Sequence, residues 1–169
     1  MSNNEMLTAD YWIEKLALIK HPEGGYYREV YLSDDKITPQ AERFSGKEYA
    51  ACTAIYFLLD GESFSAFHAI KSDEIWHFYA GTAVVVYEII DGVWQQTVLG
   101  DSSQACFQYV VKANNWFAAE LLDKSSFCLI GCTVAPGFQF DDFCLADADT
   151  LKNLCSSHHQ DIDRLCIVS

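Results

Sequence analysis

Residues 61–81 read GESFSAFHAIKSDEIWHFYAG, and this stretch decides the fold. Two runs within it alternate with the two-residue period of a β-strand, and the polar residues 71–73 between them are typical of a turn. The stretch therefore predicts a β-hairpin. Alternation places His68 on the inward face of the first strand and Glu74 on the inward face of the second, although His68 as a hydrogen-bonded core histidine and Glu74 as a turn residue are the alternative. We expect an imidazole and a carboxyl to point together into the interior.

The chain on both sides of this hairpin also has the pattern of β-strands. Asp91-Gly92 is the strongest hairpin signal. Strands at this spacing predict an antiparallel sandwich or barrel. The further runs are YYREVYL (26–32), CTAIYFLL (52–59), TAVVVYEII (82–90), VWQQTVL (93–99), CFQYVVKA (106–113), WFAAELL (116–122) and SSFCLIGCTVAPGF (125–138).

A helix is predicted before the β-rich region, over TADYWIEKLALI at residues 8–19. Thr8 is a suitable N-cap, and Trp12, Leu16 and Ile19 share one face. The helix is expected to end at the His-Pro pair that follows it, because proline restricts the residue before it.

A second helix is predicted after the β-rich region, at about residues 147–155, where an aspartate can cap it. Its apolar residues Leu151, Leu154 and Cys155 are expected to face inward. The polar segment 34–48 has no clear period and predicts a loop.

A polar cluster lies at HPEGGYYR, residues 21–28, where a histidine, a carboxyl, two phenols and a guanidinium occur together. The adjacent Gly24 and Gly25 permit backbone angles or close approaches that a side chain would forbid. The cluster is either part of a pocket wall or an exposed turn between a helix and a strand.

Several blocks, in this order, resemble the Cupin_5 (DUF985) family of the cupin superfamily. They are HPEGGYYRE (21–29), TAIYFLL (53–59), FHAIKSDEIWHFYAG (67–81), LG (99–100), WFAAEL (116–121) and CTVAPGFQFDDF (132–143). The resemblance covers nearly the whole chain. It implies a single domain over residues 1–169, all-β with short flanking helices, in which a cupin-type antiparallel jelly-roll β-barrel spans about residues 26–143. It also implies a homodimer and a small-molecule pocket, but no particular reaction.

The general cupin pattern supplies metal ligands from two motifs, and this sequence matches it only in part. His68 and Glu74 stand at two of the four ligand positions, whereas Ile70 and Phe117 occupy the positions of the other two histidines. We therefore expect no cofactor. If a divalent metal is bound, the expected ligands are His68, Glu74 and a recruited His77, with His21 as another candidate for recruitment.

The first functional hypothesis is a metal-free isomerase or epimerase acting on a sugar-nucleotide-like ligand, which resembles the 4-keto epimerases of the superfamily. His68 is the expected base, Glu74 holds it, and Tyr79 is the expected acid, with Tyr26 and Tyr56 as alternatives. Phosphate groups would require cations, for which Arg28, Arg43 and Lys71 are candidates. The full set of ligand-binding candidates is His21, Glu23, Tyr26, Arg28, Tyr56, Trp76, His77, Trp116 and Phe117.

Two other hypotheses remain open. One is a metal-dependent isomerase, lyase or oxygenase built on the recruited ligands. The other is a non-catalytic binding or sensing module that holds an apolar or aromatic ligand through Trp76, Phe78, Trp116 and Phe117. Ordinary core packing also explains these aromatic residues.

Composition excludes several partners. The formal net charge is −13 and no basic run occurs, so we expect no nucleic-acid partner. The longest apolar run is too short to span a bilayer, and the N-terminus has acidic residues where a signal peptide has basic ones, so we expect a cytoplasmic protein. The seven cysteines lack zinc-site spacing and are expected to be reduced.

Overall fold

The structure, a computed structural model, describes residues 7–167, so the first six residues of the N-terminal stretch considered for a signal peptide lie outside the described residues. Its regular elements are α1 (Ala9–Leu16), β1 (Ile19–Lys20), β2 (Tyr26–Leu32), β3 (Lys36–Ile37), β4 (Tyr49–Ala50), β5 (Thr53–Asp60), β6 (Phe64–Ala69), β7 (Asp73–Gly81), β8 (Val84–Ile90), β9 (Val93–Leu99), β10 (Gln108–Val111), β11 (Trp116–Leu121), β12 (Phe127–Ala135), β13 (Cys144–Leu145), α2 (Ala148–Leu154) and α3 (His159–Arg164). Short 3-10 helices cover Glu42–Phe44 and Phe140–Asp142.

The strands form two antiparallel sheets. One has the order β1-β2-β5-β12-β7-β10 and the other the order β13-β6-β11-β8-β9, while β3 and β4 form a separate ribbon. This jelly-roll-type arrangement with short helices confirms the predicted all-β fold class. The hydrogen bonds of residues 7–167 form open sheets rather than one closed ring.

Burial separates the inner and outer faces of the sheets. Phe57, Trp76 and Phe117, from both sheets, pack in the core between them. Helix α1 covers the outer face of the six-stranded sheet around Leu58, whereas α2 and α3 cover the outer face of the five-stranded sheet around Phe67. In the central strands such as β5 and β11, alternating residues therefore meet either the interior or a helix.

The predicted hairpin over residues 61–81 is wrong in its pairing, although both strands form. Strand β6 pairs with β11 and β13, whereas β7 pairs with β12 and β10, so the turn between β6 and β7 carries the chain from one sheet to the other. The Asp91-Gly92 hairpin is confirmed. Both residues have positive φ, 51° and 79°, and Ile90 pairs directly with Val93.

The N-terminal helix is shorter than predicted. Thr8 is its cap, as expected, but the helix ends at Leu16 because Ala17 adopts a left-handed conformation. Ile19 and Lys20 form β1 instead of a last helical turn, and they pair with the start of β2. Ile19 is consequently exposed rather than part of the helix's apolar face.

The segments near the C-terminus and at 34–48 also differ in detail from the expectation. The C-terminal helix is confirmed as α2 with Asp147 as its cap, but Leu154 points to solvent. Helix α3 was not predicted, and its Ile162 packs inward. The segment 34–48 is not wholly a loop, because it contains β3 and a 3-10 helix that buries Phe44. Within residues 7–167 no helix is long and apolar enough to cross a membrane.

Candidate functional site

A cavity of about 250 Å³ lies between the two sheets. Strands of both sheets, the turn before β2 and the segment after β12 all contribute to it. The residues that line it are His21, Glu23, Tyr27, Glu29, Thr53, Ile55, His68, Ile70, Glu74, Cys132, Val134, Phe138, Phe140 and Phe143.

The glycine turn of HPEGG places Glu23 inside this cavity. Gly24 has φ of +112°, and a Cβ on it would lie 2.0 Å from the carbonyl oxygen of Phe64. Only glycine therefore lets the turn approach β6 this closely. The Ala66 N–H donates to the Glu23 carbonyl at 2.9 Å, which fixes the turn against the strand.

Glu23 and His68 form a buried pair. The Oε2 atom of Glu23 lies 3.2 Å from Nε2 of His68, and Ser65 Oγ donates to Oε1 of Glu23 at 2.8 Å. Because Nδ1 of His68 lies 2.7 Å from the Ala66 carbonyl oxygen, which can only accept, Nδ1 carries a proton. A single further proton is then shared between Nε2 and the carboxyl of Glu23.

Burial shifts the pKa of both partners in this pair. It lowers the pKa of His68, although Glu74 and the Ala66 carbonyl oppose the shift. It raises the pKa of Glu23 to about 7, against the influence of His21 and Ser65. Both shifts favour the neutral forms, so the shared proton lies on the carboxyl below about pH 7.

His21 lies beside the pair, and its Nδ1 accepts a hydrogen bond, whereas Nδ1 of His68 donates one. The backbone N–H of Glu23 donates to Nδ1 of His21 at 3.2 Å, so this nitrogen is unprotonated. Burial lowers the pKa of His21, while Glu23 raises it and His68 lowers it further. The imidazole of His21 is therefore neutral, with its proton on Nε2.

Glu74 reaches the cavity from the sheet opposite His68. Burial raises its pKa to about 7, and nearby Glu23 adds to the rise, while His68, Cys132 and Trp76 lower it. The Cys132 thiol and the Trp76 indole N–H lie near its buried carboxyl and lower the pKa, although the geometry at Trp76 Nε1 is too poor for a full hydrogen bond. Glu74 is thus an available proton-exchanging group.

Aromatic rings form the wall after β12. Phe138, Phe140 and Phe143 all line the cavity, and Phe143 also lies 5.2 Å from His68 between ring centroids. The Phe138 N–H donates to Thr53 Oγ1 at 2.9 Å, which ties this segment to β5. The wall is therefore anchored to the six-stranded sheet.

The lining contains no lysine or arginine. Arg28 donates to the carbonyl of Leu16, and Arg43 donates to the carbonyl of Lys71. Lys71 itself pairs with Asp142 at 2.9 Å. The three cations expected for phosphate binding thus lie outside the cavity.

The structure brings four of the predicted site residues together in the cavity, namely His21, Glu23, His68 and Glu74. The carboxyl in contact with His68 is Glu23, whereas Glu74 was expected to hold it. Trp76 and Phe117 lie in the adjoining core, with the Phe117 ring 4.0 Å from that of His68.

Strand alternation keeps the other predicted residues out of the cavity. Tyr79 is 52% exposed and lies over Gly131, while His77 contacts Gln108 and Thr133 on the same outer face. The remaining residues placed elsewhere are Tyr26 and Tyr56, which pack under α1, Arg28, and Trp116, which packs near α2 and α3.

Sequence reasoning missed most of the apolar lining. On β2, Tyr27 and Glu29 share one face and Tyr26 and Arg28 share the other. Alternation separates these two faces but does not show which one points inward. The other missed residues are Thr53, Ile55, Ile70, Cys132, Val134, Phe138, Phe140 and Phe143. The block CTVAPGFQFDDF contained the last three and was the available signal.

The side chains of the cavity that could bind a metal do not fit the four-ligand site of the general cupin pattern. Both nitrogens of His68 already have partners, Phe117 packs on its ring, and Ile70 supplies no donor. His77 lies on the outer face. Among residues 7–167 no group of three His, Cys, Asp or Glu side chains is arranged to hold a metal ion.

Comparisons with known proteins agree with this architecture. The family model for Cupin_5, described as "Cupin superfamily (DUF985)", matches residues 10–146. No curated protein matches the chain.

Solved structures share the fold. A hypothetical protein from Leishmania major is 30% identical, with a TM-score of 0.86 over 96% of this chain and 100% of that one. A protein from Shewanella oneidensis is 32% identical, with a TM-score of 0.86 over 97% of this chain and 100% of that one. The oxalate decarboxylase of Bacillus subtilis, whose Mn(II) centres have been studied, is 12% identical with a TM-score of 0.51 over 86% and 36% of the two chains. At this identity the likeness shows the fold alone. The manganese belongs to oxalate decarboxylase.

Proposed function

The chain belongs to the Cupin_5 family of the cupin superfamily, and from this premise we propose that its cavity binds a small molecule and transfers protons on it, as isomerases and epimerases do. One observation carries the proposal. His68 Nε2 lies 3.2 Å from Glu23 Oε2, in the same cavity as Glu74. Burial raises the pKa of both Glu23 and Glu74 to about 7, so two carboxyls suited to proton transfer near neutral pH face one ligand space.

In the proposed reaction, ionised Glu74 removes a proton from a carbon next to a carbonyl group. The electron pair of the broken C–H bond moves toward the carbonyl oxygen and forms an enediolate. The pair of Glu23 and His68, which holds one proton, donates it to that oxygen. Glu74 then returns its proton to the neighbouring carbon while the Glu23–His68 pair takes back the proton of the other hydroxyl, which gives the isomer without an oxidant and restores both groups.

The cavity favours a smaller ligand than the sugar nucleotide suggested by the sequence. Its volume of about 250 Å³ is below the range of roughly 300–1,000 Å³ that is usual for drug-sized ligands. No lysine or arginine lines it, so phosphate groups would face carboxyls without a compensating cation. We therefore propose a hydroxycarbonyl compound of monosaccharide size or less, without phosphates.

A non-catalytic binding module is the second candidate, and the aromatic wall favours it. Phe138, Phe140 and Phe143 offer apolar contact and no proton-transfer chemistry. This candidate predicts binding without turnover.

Deuterium exchange tests the catalytic proposal. The protein is incubated in D₂O with dihydroxyacetone or fructose as probe, and NMR follows exchange at the carbon next to the carbonyl. We expect the protein to accelerate exchange and Glu74→Gln and His68→Gln to reduce it about 10²–10⁴-fold. His77→Gln, which changes a histidine outside the cavity, is the matched control and should behave as wild type. No acceleration by the wild-type protein contradicts catalysis on such compounds, and binding without exchange supports the module.

We also propose a homodimer formed through β2. Val30, Tyr31 and Leu32 are 49%, 53% and 52% exposed, so this part of the strand is open on both faces. Within residues 7–167, β1 pairs only with Tyr26 and Tyr27, which leaves the rest of that edge without a strand partner. A second copy of β2 would satisfy the free backbone groups and cover the apolar side chains.

A reducing compartment such as the cytoplasm is the location we propose. All seven cysteines are free thiols, and Cys144 is exposed. Such a set is typical of proteins that work where thiols stay reduced.

A further inference from the structure

Three phenylalanine rings, Phe138, Phe140 and Phe143, pack edge to face in the cavity wall and are called the aromatic box below. The centroids of Phe138 and Phe140 are 5.0 Å apart with the rings at 81°, and Phe143 lies 6.4 Å from Phe140 at 70° and 6.3 Å from Phe138 at 69°. None of these rings is stacked on another. All three rings border the cavity, where Phe140 also lies near the His21 ring and Phe143 near the His68 ring.

Three carboxyl side chains line the same cavity as the aromatic box. Glu23, Glu29 and Glu74 all line the cavity, and Glu29 is exposed at its edge. Glu74 is only 8% exposed and faces the cavity, where its polar neighbours are the Cys132 thiol and the Trp76 indole N–H. A buried carboxyl with only these neighbours is costly to ionise, so Glu74 is a group that a cationic ligand would stabilise.

From the rings and carboxyls together, we infer that the ligand of this cavity is a small organic cation, an ammonium group bearing methyl or methylene substituents. Aromatic faces attract such cations through their negative quadrupole, and several rings around one space are the usual means of holding a quaternary ammonium group. Carboxyls and the absence of lysine and arginine from the lining make the electrostatic environment suitable for a positive charge.

Other ligand classes fit these observations less well. An anion would meet the carboxyls of Glu29 and Glu74, and the described residues of the lining include no lysine or arginine to offset them. A neutral sugar uses hydrogen bonds and one ring face, which leaves three steep rings unexplained. A bare metal ion requires donors that the cavity does not arrange, and phenylalanine supplies none.

This inference rests on the proposed function only in taking the same cavity as the ligand site. It does not depend on proton transfer. If both proposals hold, the substrate is a carbonyl compound that also carries an ammonium group. Failure of the two proposals can be distinguished, because charge preference is measured by binding and proton transfer by exchange.

Calorimetry with three probes of nearly equal shape tests the inference. Choline carries a positive charge, 3,3-dimethylbutan-1-ol replaces its nitrogen with carbon and is neutral, and 3,3-dimethylbutanoate is an anion. We expect choline to bind about tenfold more tightly than the alcohol, and the anion to bind more weakly than either. Equal affinity for choline and the alcohol, tighter binding of the anion, or no binding of choline at millimolar concentration overturns the inference.

Variants then assign the preference to the residues named. Phe140 is 54% exposed, so Phe140→Leu should fold normally, lower the affinity for choline several-fold and leave that for the alcohol within about twofold. Glu29→Gln should also reduce the preference for choline. Phe107→Leu is the matched control, because Phe107 is 61% exposed and lies outside the cavity lining. A preference that survives both Phe140→Leu and Glu29→Gln contradicts the inference. If the wild-type protein still exchanges dihydroxyacetone when the choline preference fails this test, the proposed function stands without the inference.

Discussion

The carboxyl of Glu23 lies 3.2 Å from Nε2 of His68, although the two residues belong to different parts of the fold. Glu23 stands in the glycine turn before β2, in the six-stranded sheet, and His68 stands on β6 in the other sheet. Ser65 and Ala66 on β6 hold the turn through hydrogen bonds to the side chain and the carbonyl of Glu23. The proton-sharing pair therefore depends on how this turn packs against β6.

Replacement of Gly24 tests that dependence. Gly24→Ala puts a methyl group 2.0 Å from the Phe64 carbonyl oxygen at a φ of +112°, so the turn must move. We expect a loss of about 2–4 kcal/mol in the free energy of unfolding, from the strained backbone and the overlap together. Denaturant unfolding measures the loss. A change in the NMR chemical shifts of the His68 imidazole shows whether Glu23 has moved away from Nε2.

Gly46→Ala is the matched control for this prediction. Gly46 also has a positive φ, +68°, but nothing lies within 4 Å of the added methyl group. Its cost should be about 1 kcal/mol from backbone strain alone. Equal costs for the two variants would show that the close approach of Gly24 to β6 contributes nothing.

Glu74 should make stability fall as pH rises. Its pKa in the folded protein, about 7, is above the ordinary value of 4.5, so the folded state binds the proton more tightly than the unfolded state. The resulting stabilisation is complete below pH 4.5 and is lost as pH rises through 7. Glu74→Gln abolishes this titration. The variant should therefore gain stability relative to wild type between pH 5 and pH 8, by up to about 3 kcal/mol.

Thermal unfolding across this pH range measures the difference between variant and wild type. Glu62→Gln, at an exposed turn residue, is the control and should follow wild type at every pH. Because His21 and His68 titrate in the same cavity, only the difference between the curves is interpreted. A difference that stays constant from pH 5 to pH 8 would contradict the raised pKa of Glu74.

The predictable part of this structure was local. Thr8 and Asp147 are helix caps, and alternation correctly turned His68 and Glu74 inward, because both features depend on neighbouring residues. Alternation shows which residues of a strand share a face, but it does not show which other strand lies beside it. The sequence of residues 61–81 therefore did not reveal that β6 and β7 lie in opposite sheets.

The site was less predictable because its contacts are long-range. Arg28 and Glu29 alternate on one strand, and both sets on that strand combine an aromatic residue with a charged one, so composition did not identify the inward set. Packing decides it, since α1 covers the face that carries Tyr26 and the cavity lies behind Tyr27. Contact between Glu23 and His68 likewise exists only after the two sheets have assembled.

The exposed part of β2 leads to a prediction about assembly. Val30→Lys should convert the proposed dimer to a monomer, because it places a charge where two copies of the strand would meet. Light scattering after size-exclusion chromatography measures the mass. Val93→Lys, at a residue 58% exposed on the edge strand of the other sheet, should remain dimeric. A monomeric wild-type protein would refute the dimer, and a Val30→Lys dimer would place its interface elsewhere.

Glu120 and Arg164 should stabilise the attachment of α3 at neutral pH. The guanidinium donates to both carboxylate oxygens at 2.6 and 2.7 Å. Burial alone would raise the pKa of Glu120, but Arg164, Lys124 and Tyr87 together lower it to about 2. The ion pair therefore stabilises the fold above pH 4.5, and this contribution is lost as pH falls toward 2.

Glu120→Gln should cost about 1–2 kcal/mol at pH 7, a value reduced for the solvent around the partly exposed Arg164, and the cost should shrink as pH falls below 4.5. Denaturant unfolding at pH 7 and at pH 3 measures it. Asp149→Asn is the matched control, because the Asp149 side chain is 86% exposed in its pair with Lys152 and its loss should have no measurable effect. A cost for Glu120→Gln that is the same at both pH values would mean that lost packing, rather than the ion pair, accounts for it.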